Sequence, residues 1–310
     1  MKTGAISVVI PVRNEGSRIH RAVRSIAAGR SWRFPLEIIV VDDASCDAGC
    51  DSLYESIEKC DDVQLVIVRL ATWSGIPFAR NRGAERARYP TLIATDGNTE
   101  FPPNWDLPIW RHLRPNRMLA ATILDMDSNF RGYGCQLQIP SMGVTWIPVP
   151  LAYGGHVPIA SCAGSVIDRA LFHRLGGYDE SLPLYGAAEP EFSLRLWLSG
   201  CEVINIPELG IRHRFRPLKE HHAYRTSIHS VLFKNYLRFA CYYLPPDLLE
   251  DAYRYYASDS SDEVTNCVKE LVREGVWERR AELSRLPLDF RWFAQRFSIS
   301  RATFQWTPHP

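Results

Sequence analysis

The 310-residue sequence holds eight cysteines, at Cys46, Cys50, Cys60, Cys135, Cys162, Cys201, Cys241 and Cys267, but no Cys-x-x-Cys pair and no Cys/His set at zinc-finger spacing. That excludes the small metal-stapled modules, and a chain of this length buries a core without disulfides. Reduced thiols and a cytoplasmic setting are expected. No Asn-x-Ser/Thr acceptor occurs, in keeping with that setting. No apolar run approaches the ~20 residues that span a bilayer. Met1–Ala5 lead directly into an apolar strand, so no signal peptide is expected. Charge of one sign is also missing: 36 basic residues face 35 acidic ones, a net charge of +1. Binding to nucleic acid through bulk charge is excluded. Finally, no Gly-x-Gly-x-x-Gly follows the first strand and no Gly-Lys-Ser/Thr loop occurs, which argues against the usual dinucleotide and P-loop sites.

The first hundred residues alternate between two periodicities. Ile6–Ile10, Glu37–Val41, Val63–Val68 and Thr91–Thr95 are short β-branched or apolar runs. Between them, Ser17–Ala28, Asp51–Lys59 and Ile76–Arg88 carry apolar residues at helical spacing. This alternation predicts an α/β fold, a mostly parallel sheet with helices on both faces. Ligands of such sheets sit beyond the carboxyl ends of the strands. Three polar clusters stand there: Arg13-Asn14-Glu15, Asp42-Asp43 and Asp96-Gly97-Asn98. Residues 101–160, rich in Pro, Gly and aromatics, are expected to form loops and antiparallel strands. Ser165–Leu175 and Glu189–Leu198 are expected to be helical, as is the chain from His221 onward. Leu244-Pro245-Pro246 interrupts that last region, and a loop over Ser258–Asp262 precedes a helix over Glu263–Leu286.

Asp96-Gly97-Asn98 offers a carboxylate and an amide two residues apart, oxygen ligands suited to Mg²⁺ or Mn²⁺; the same triplet is strong turn chemistry. Gly75–Gly83 places Arg80 and Arg82 beside a helix N-terminus, which suits an anion or simply forms a solvated basic face. His221, His222, Arg225 and His229 share a helical stretch, a second metal site or, more simply, a solvated or subunit-contact face. Tyr242, Tyr243, Tyr253, Tyr255 and Tyr256 line an acceptor cleft or dimer interface, or fill a helical core, which is the simpler account.

Five segments in order carry a resemblance: Ile6–Glu15, Val40–Ser45, Ala79–Gly83, Asp96–Asn98 and Tyr185–Leu196. Together they resemble family-two glycosyltransferases of the GT-A fold, closest in motif pattern to the catalytic domain of the polypeptide N-acetylgalactosaminyltransferases. Tyr185-Gly186-Ala187-Ala188-Glu189 stands where those enzymes have Trp-Gly-Gly-Glu-Asn, and Arg212-His213-Arg214-Phe215-Arg216 where they have Gly-His-Val-Phe-Arg. Asp96-Gly97-Asn98-Thr99-Glu100 keeps the frame of their Asp-x-His motif. Ala163–Arg169 and Gly177-Tyr178-Asp179 fill the interval as in that group.

The resemblance implies a GT-A domain over residues 1–218, with a nucleotide-binding half to about residue 100, and a helical extension over 219–310. It implies transfer of a hexose or N-acetylhexosamine from a nucleotide diphosphate sugar, a UDP-sugar above all. Pro11, Arg13, Glu15, Asp42, Asp43, Arg80, Asp96 and Gly97 would border the nucleotide, with Asp42 and Asp43 meeting the uracil and ribose. Asp96, Asn98 and His213 would hold Mn²⁺ or Mg²⁺. Arg216 would neutralise the departing diphosphate, and Glu189 and Glu191 would be the catalytic-region acids. Asn98 replaces the usual Asp or His ligand, and Pro190 stands where inverting relatives carry a basic Asp. The second departure points to retention of anomeric configuration. Inverting synthesis of surface polysaccharide and non-catalytic nucleotide-sugar binding are the rival functions. The acceptor, whether glycan, peptide or small molecule, is not carried over from the resemblance, and a homodimer is compatible with the chain.

Overall fold

The computed structural model describes residues 4–58, 60, 62–151, 155–161, 163–258 and 261–299. Lys59, Cys162 and part of the expected 258–262 loop lie outside the described residues. The strands are β1 (Ile6–Val12), β2 (Leu36–Asp43), β3 (Val63–Leu70), β4 (Thr91–Ala94), β5 (Thr99–Glu100), β6 (Arg117–Asp125), β7 (Arg131–Gly132), β8 (Cys135–Leu137), β9 (Val144–Trp146), β10 (Ser165–Asp168) and β11 (Glu202–His213). The helices are α1 (Arg18–Ala28), α2 (Ile76–Arg86), α3 (Asp106–His112), α4 (Arg169–Arg174), α5 (Ala188–Leu198), α6 (Leu218–Ser227), α7 (His229–Tyr243), α8 (Pro246–Ala257), α9 (Ser261–Arg273), α10 (Val276–Leu283) and α11 (Phe290–Arg296).

The main sheet runs β3-β2-β1-β4-β10-β6-β11-β5, with β7 paired to β6. β1 to β4 are mutually parallel, as the alternation predicts; β10 runs antiparallel to β4 and β6. β11 is parallel to β6, and β5 closes the far edge antiparallel to β11. Helices cover both faces, so the central strands are apolar on both sides rather than alternating. Val8, Ile10, Ile38 and Val40 face α1 through Ile19, Val23 and Ile26. Val9, Ile39 and Val41 face the opposite way, onto Ala79, Phe172 and Phe192. Leu237, Phe239, Leu271 and Phe293 from the C-terminal helices join that second core. Tyr242 and Tyr243 are buried in it, which is the simple reading of the tyrosine-rich helices.

Four expectations are corrected. Ser165–Asp168 is a strand, and only Arg169–Arg174 continues as helix. In place of the helix expected over Asp51–Lys59, the described residues form a short 3₁₀ helix over Leu53–Ile57. The 263–286 helix breaks at Gly275, whose φ of 77° lies in the left-handed region. Within 101–160 the chain also builds α3 and the nine-residue β6. β6 is legible only with its partner β11, because pairing with a distant strand fixes it and local periodicity does not.

Candidate active site

The polar clusters converge where the carboxyl ends of β1, β2 and β4 meet the end of β11. β4 closes at Ala94, and Thr95 N–H donates to the Val9 carbonyl at 3.1 Å. The chain then turns over Asp96-Gly97-Asn98, fixed by Thr99 Oγ1 donating to the Asp96 carbonyl at 2.7 Å. The triplet is thus a turn, and it aims its polar side chains at the site. A Cβ on Gly97 would stand 2.7 Å from Val12 Cγ1, so glycine lets the turn lie against the end of β1.

Arg80, on the inner side of α2, joins two carboxylates from separate elements. Its Nη2 donates to Asp96 Oδ1 at 3.0 Å and its Nη1 to Glu189 Oε1 at 2.6 Å. Its guanidinium lies 5.2 Å from the centre of the Tyr178 ring. Burial works against the charge, yet Tyr178, Glu189 and Asp96 together raise its pKa. Arg80 is 2% exposed. The structure therefore places it beneath the site as a clamp on Asp96 and Glu189, rather than at a base or diphosphate.

Asp96 Oδ2 is 3.6 Å from His213 Nε2 at the end of β11. Burial pushes the Asp96 carboxyl up; His213 and Arg80 outweigh it and hold the pKa below the ordinary carboxylate value. His213 is 8% exposed, and its Nδ1 is buried without a hydrogen-bond partner among the described residues. Asn98 donates through Nδ2 to the Arg214 carbonyl at 2.8 Å and accepts at its own carbonyl from Arg214 N–H at 3.1 Å. It ties the turn to β11 and leaves Oδ1 as its remaining polar group. A carboxylate, the imidazole Nε2 that faces it and an amide oxygen suit a divalent cation such as Mn²⁺. No group of three His, Cys, Asp or Glu side chains able to hold a metal occurs among the described residues. A substrate's own oxygens would have to complete such a shell. The same absence applies to the His221, His222 and His229 stretch as a second metal site.

Just before α5, three of four residues are left-handed: Leu184 at φ 61°, Gly186 at 87° and Ala187 at 64°. Non-glycine residues held there cost about 1–3 kcal/mol each, a strain typical of functional loops. The same segment bonds to α2, where Gly75 approaches Leu184 so closely that a Cβ would stand 2.1 Å from Leu184 Cα.

Two acids part ways here. Glu191 is fully buried, bound by Arg195 at 2.9 and 2.7 Å and by Tyr243 Oη at 2.6 Å. It is a structural residue, which corrects its expected catalytic role. Pro190 is buried in α5 as well. Glu191→Ala would strand the buried Arg195 charge and is expected to cost about 3–5 kcal/mol of stability, read by denaturant unfolding.

At the other end of the cleft, Arg13 Nη1 donates to the carbonyls of Asp43 and Ala44 at 2.7 and 2.6 Å. Asp43 accepts from Ser74 and Gly75 N–H at 2.8 and 2.7 Å, and Asp42 pairs with Arg69 at 3.1 Å while accepting from Ser45 N–H at 2.9 Å. Asp43 thus shapes the β3–α2 loop, and Asp42 the turn that follows β2. Pro11 lies within β1, and Glu15 pairs with Arg18 at 2.8 Å. The Arg13 guanidinium is 4.7 Å from the centre of the Trp73 ring, and Trp73 is 38% exposed. Arg216 is exposed and packs 4.7 Å from the centre of the Tyr224 ring on α6. Burial raises the Tyr224 pKa against the fields of Arg216 and Arg13.

Trp73 and Tyr224 escaped the sequence reasoning. The one available signal was a tryptophan in a loop at a strand end, three residues before a helix. If this end receives a base, Trp73→Ala is expected to weaken nucleotide binding by about tenfold, measured by calorimetry, a loss of one aromatic contact.

The architecture is that of a GT-A domain, a curled, mostly parallel sheet with its polar site beyond the strand ends. The chain belongs to glycosyl transferase family 2, whose family model matches residues 7–176. Polypeptide N-acetylgalactosaminyltransferase 8 of Drosophila melanogaster is 30% identical over 259 residues, covering 77% of this chain and 43% of that protein. Human polypeptide N-acetylgalactosaminyltransferase 13 is 28% identical over 237 residues, covering 68% and 41%. The chain thus spans less than half the length of these curated relatives. The crystal structure of GalNAc-T7 with UDP, GalNAc and Mn²⁺ matches with a TM-score of 0.72 at 22% identity, over 96% of this chain and 57% of that one. The mannosyltransferase PcManGT from Pyrobaculum calidifontis, in complex with GDP-Man and Mn²⁺, matches at 0.57 and 18%, over 95% and 83%. These two likenesses are of fold. Among the described residues, no helix is long and apolar enough to cross a membrane.

Proposed function

We propose that this chain transfers a hexose or N-acetylhexosamine from a UDP-sugar to an acceptor hydroxyl, with Mn²⁺ or Mg²⁺ and with retention of configuration. The observation that carries it is the constellation around Asp96: a carboxylate held between Arg80 and His213, with Glu189 on the same arginine. Relatives named N-acetylgalactosaminyltransferases and a fold neighbour holding UDP, GalNAc and Mn²⁺ support the donor class.

In this reading Asp96, His213 and the Asn98 amide oxygen hold the cation, which when bound supplies positive charge to the diphosphate. Arg80 helps keep Asp96 ionised and holds Glu189 in place. Glu189 accepts hydrogen bonds from donor-sugar hydroxyls. The acceptor proton goes to the departing phosphate oxygen. The bond from the anomeric carbon to that oxygen breaks as the bond to the acceptor oxygen forms on the same face. Arg216 stabilises the charge left on the diphosphate.

NMR of UDP-GalNAc and UDP-GlcNAc turnover with Mn²⁺ tests this reading. The expected first-formed sugar or glycoside is the α anomer, matching the α-linked donor. A β anomer first would overturn retention. Binding of UDP without any release of sugar would overturn transfer and leave a nucleotide-sugar-binding protein.

A further inference from the structure

Leu184 and Ala187, on the approach to Glu189, hold left-handed backbone without the freedom of glycine. Such residues persist only where their surroundings over-determine them. Three successive carbonyls of this segment are bonded. Leu184 accepts from Ile76 N–H at 3.0 Å, at the start of α2. The carbonyls on either side of it, Pro183 and Tyr185, both accept from Nδ2 of Asn235, at 2.8 and 3.0 Å. Asn235 lies on α7 and is 1% exposed. Gly186 lies against the same helix: a Cβ there would stand 2.7 Å from Leu232 Cδ2 and 3.4 Å from Tyr236 Oη. Burial raises the Tyr236 pKa, Arg225 lowers it, and the field of Glu189 raises it further. Farther along α7, Tyr243 Oη donates to Glu191 Oε1 at 2.6 Å. The helix thus grips the chain on both sides of Glu189, at Pro183 and Tyr185 before it and at Glu191 after it.

We propose that Asn235 is a positioning residue for the sugar transfer: its amide fixes the Pro183–Ala187 segment and so sets where Glu189 meets the donor sugar. The inference rests on the transferase reading above and brings one of the C-terminal helices into the machinery. An apolar side chain of similar size would fill the same buried space. What the amide adds is one NH₂ group, with two donors matched to two carbonyls of one loop. Leucine there leaves both carbonyls without that partner, and the segment relaxes. A shift of about 1 Å in a group that orients substrate costs up to about 10²-fold in rate. At the base end, Arg13 is held by the Asp43 and Ala44 carbonyls and lies against the Trp73 ring, none of which belongs to this segment. Nucleotide binding should therefore survive a change that the sugar feels.

The test uses the full chain with Mn²⁺ and whichever of UDP-GalNAc and UDP-GlcNAc it turns over. It reads kcat/KM for sugar release beside UDP affinity by calorimetry. Asn235→Leu is expected to lower kcat/KM about tenfold or more, while UDP affinity stays within about threefold. Asn235→Ser keeps one hydroxyl donor and is expected to lose about threefold to tenfold; it decides the matter if the leucine variant does not fold. Lys234→Ala, at the neighbouring position, breaks ion pairs with Glu270 and Glu274 and is expected to leave kcat/KM unchanged. In a chain that already carries Glu189→Ala, the Asn235 variant is expected to lower kcat/KM less than about twofold further, because it acts through that carboxylate. Three results overturn the inference and leave the transferase reading standing. One is wild-type kcat/KM in both Asn235 variants. Another is a loss matched by an equal loss of UDP affinity, or reproduced by Lys234→Ala. The third is a loss in the Glu189→Ala chain as large as in the wild type. If the wild-type chain releases no sugar, or Glu189→Ala leaves kcat/KM unchanged, the transferase reading of this site fails and the inference fails with it.

Discussion

Asp96→Ala is expected to abolish Mn²⁺-dependent UDP binding. Among the described residues, Asp96 is the one carboxylate that faces both His213 and Arg80. Its loss removes the anionic ligand and leaves His213 and the neutral Asn98 amide, too little charge to hold a hard cation against water. It also frees half of the Arg80 fork, a buried cation 2% exposed, so Glu189 loses its fixed orientation. Calorimetric titration of UDP with and without Mn²⁺ reads the effect. The companion variant, Asn98→Asp, adds a second carboxylate to the same turn and is expected to tighten metal binding. Unchanged Mn²⁺-dependent UDP affinity in Asp96→Ala would show that the cation binds elsewhere.

Arg216→Ala is expected to lower turnover by roughly 10²-fold or more while leaving UDP affinity less affected, the pattern of a contact that matters most as charge develops. Arg216 follows the end of β11 by three residues and is exposed, held by the face of Tyr224 and by no carboxylate among the described residues. Its charge therefore remains available to an anion. Removing it also uncovers Tyr224, so Tyr224→Leu is the control. That variant keeps the arginine but loses its support, and a drop of about threefold to tenfold is expected from one cation–π contact. Sugar release from UDP-GalNAc measures both. Equal losses of UDP affinity and turnover in Arg216→Ala would mean uniform binding rather than charge stabilisation in the transition state.

The first four strands were legible in the sequence because burial on both faces makes parallel strands read as continuous apolar runs, as in Ile6–Ile10 and Glu37–Val41. The carboxyl-end clusters were legible for the same reason, since polar residues stop those runs. Less legible were elements fixed by distant partners. Ser165–Asp168 has an acceptable helical pattern and becomes a strand because β4 and β6 flank it. The roles of acids in one short helix were also hidden. Glu189 and Glu191 are two residues apart, so one faces Arg80 and the other Arg195 and Tyr243. Sequence order gives their spacing but not which side meets the cleft. Arg80 shows the same limit: an arginine near a helix N-terminus suggests an anion in solution, and here the anions are the protein's own carboxylates. Trp73 belongs to a loop whose neighbours are set only by the fold.

The central claim is a UDP site completed by a divalent cation. Calorimetry of the wild-type chain with UDP, GDP and CDP, each in Mn²⁺ and in EDTA, tests it most directly. The account predicts UDP binding in Mn²⁺ about tenfold or more tighter than GDP or CDP, and largely lost in EDTA. Equal binding of the three nucleotides, or UDP binding indifferent to EDTA, would contradict it.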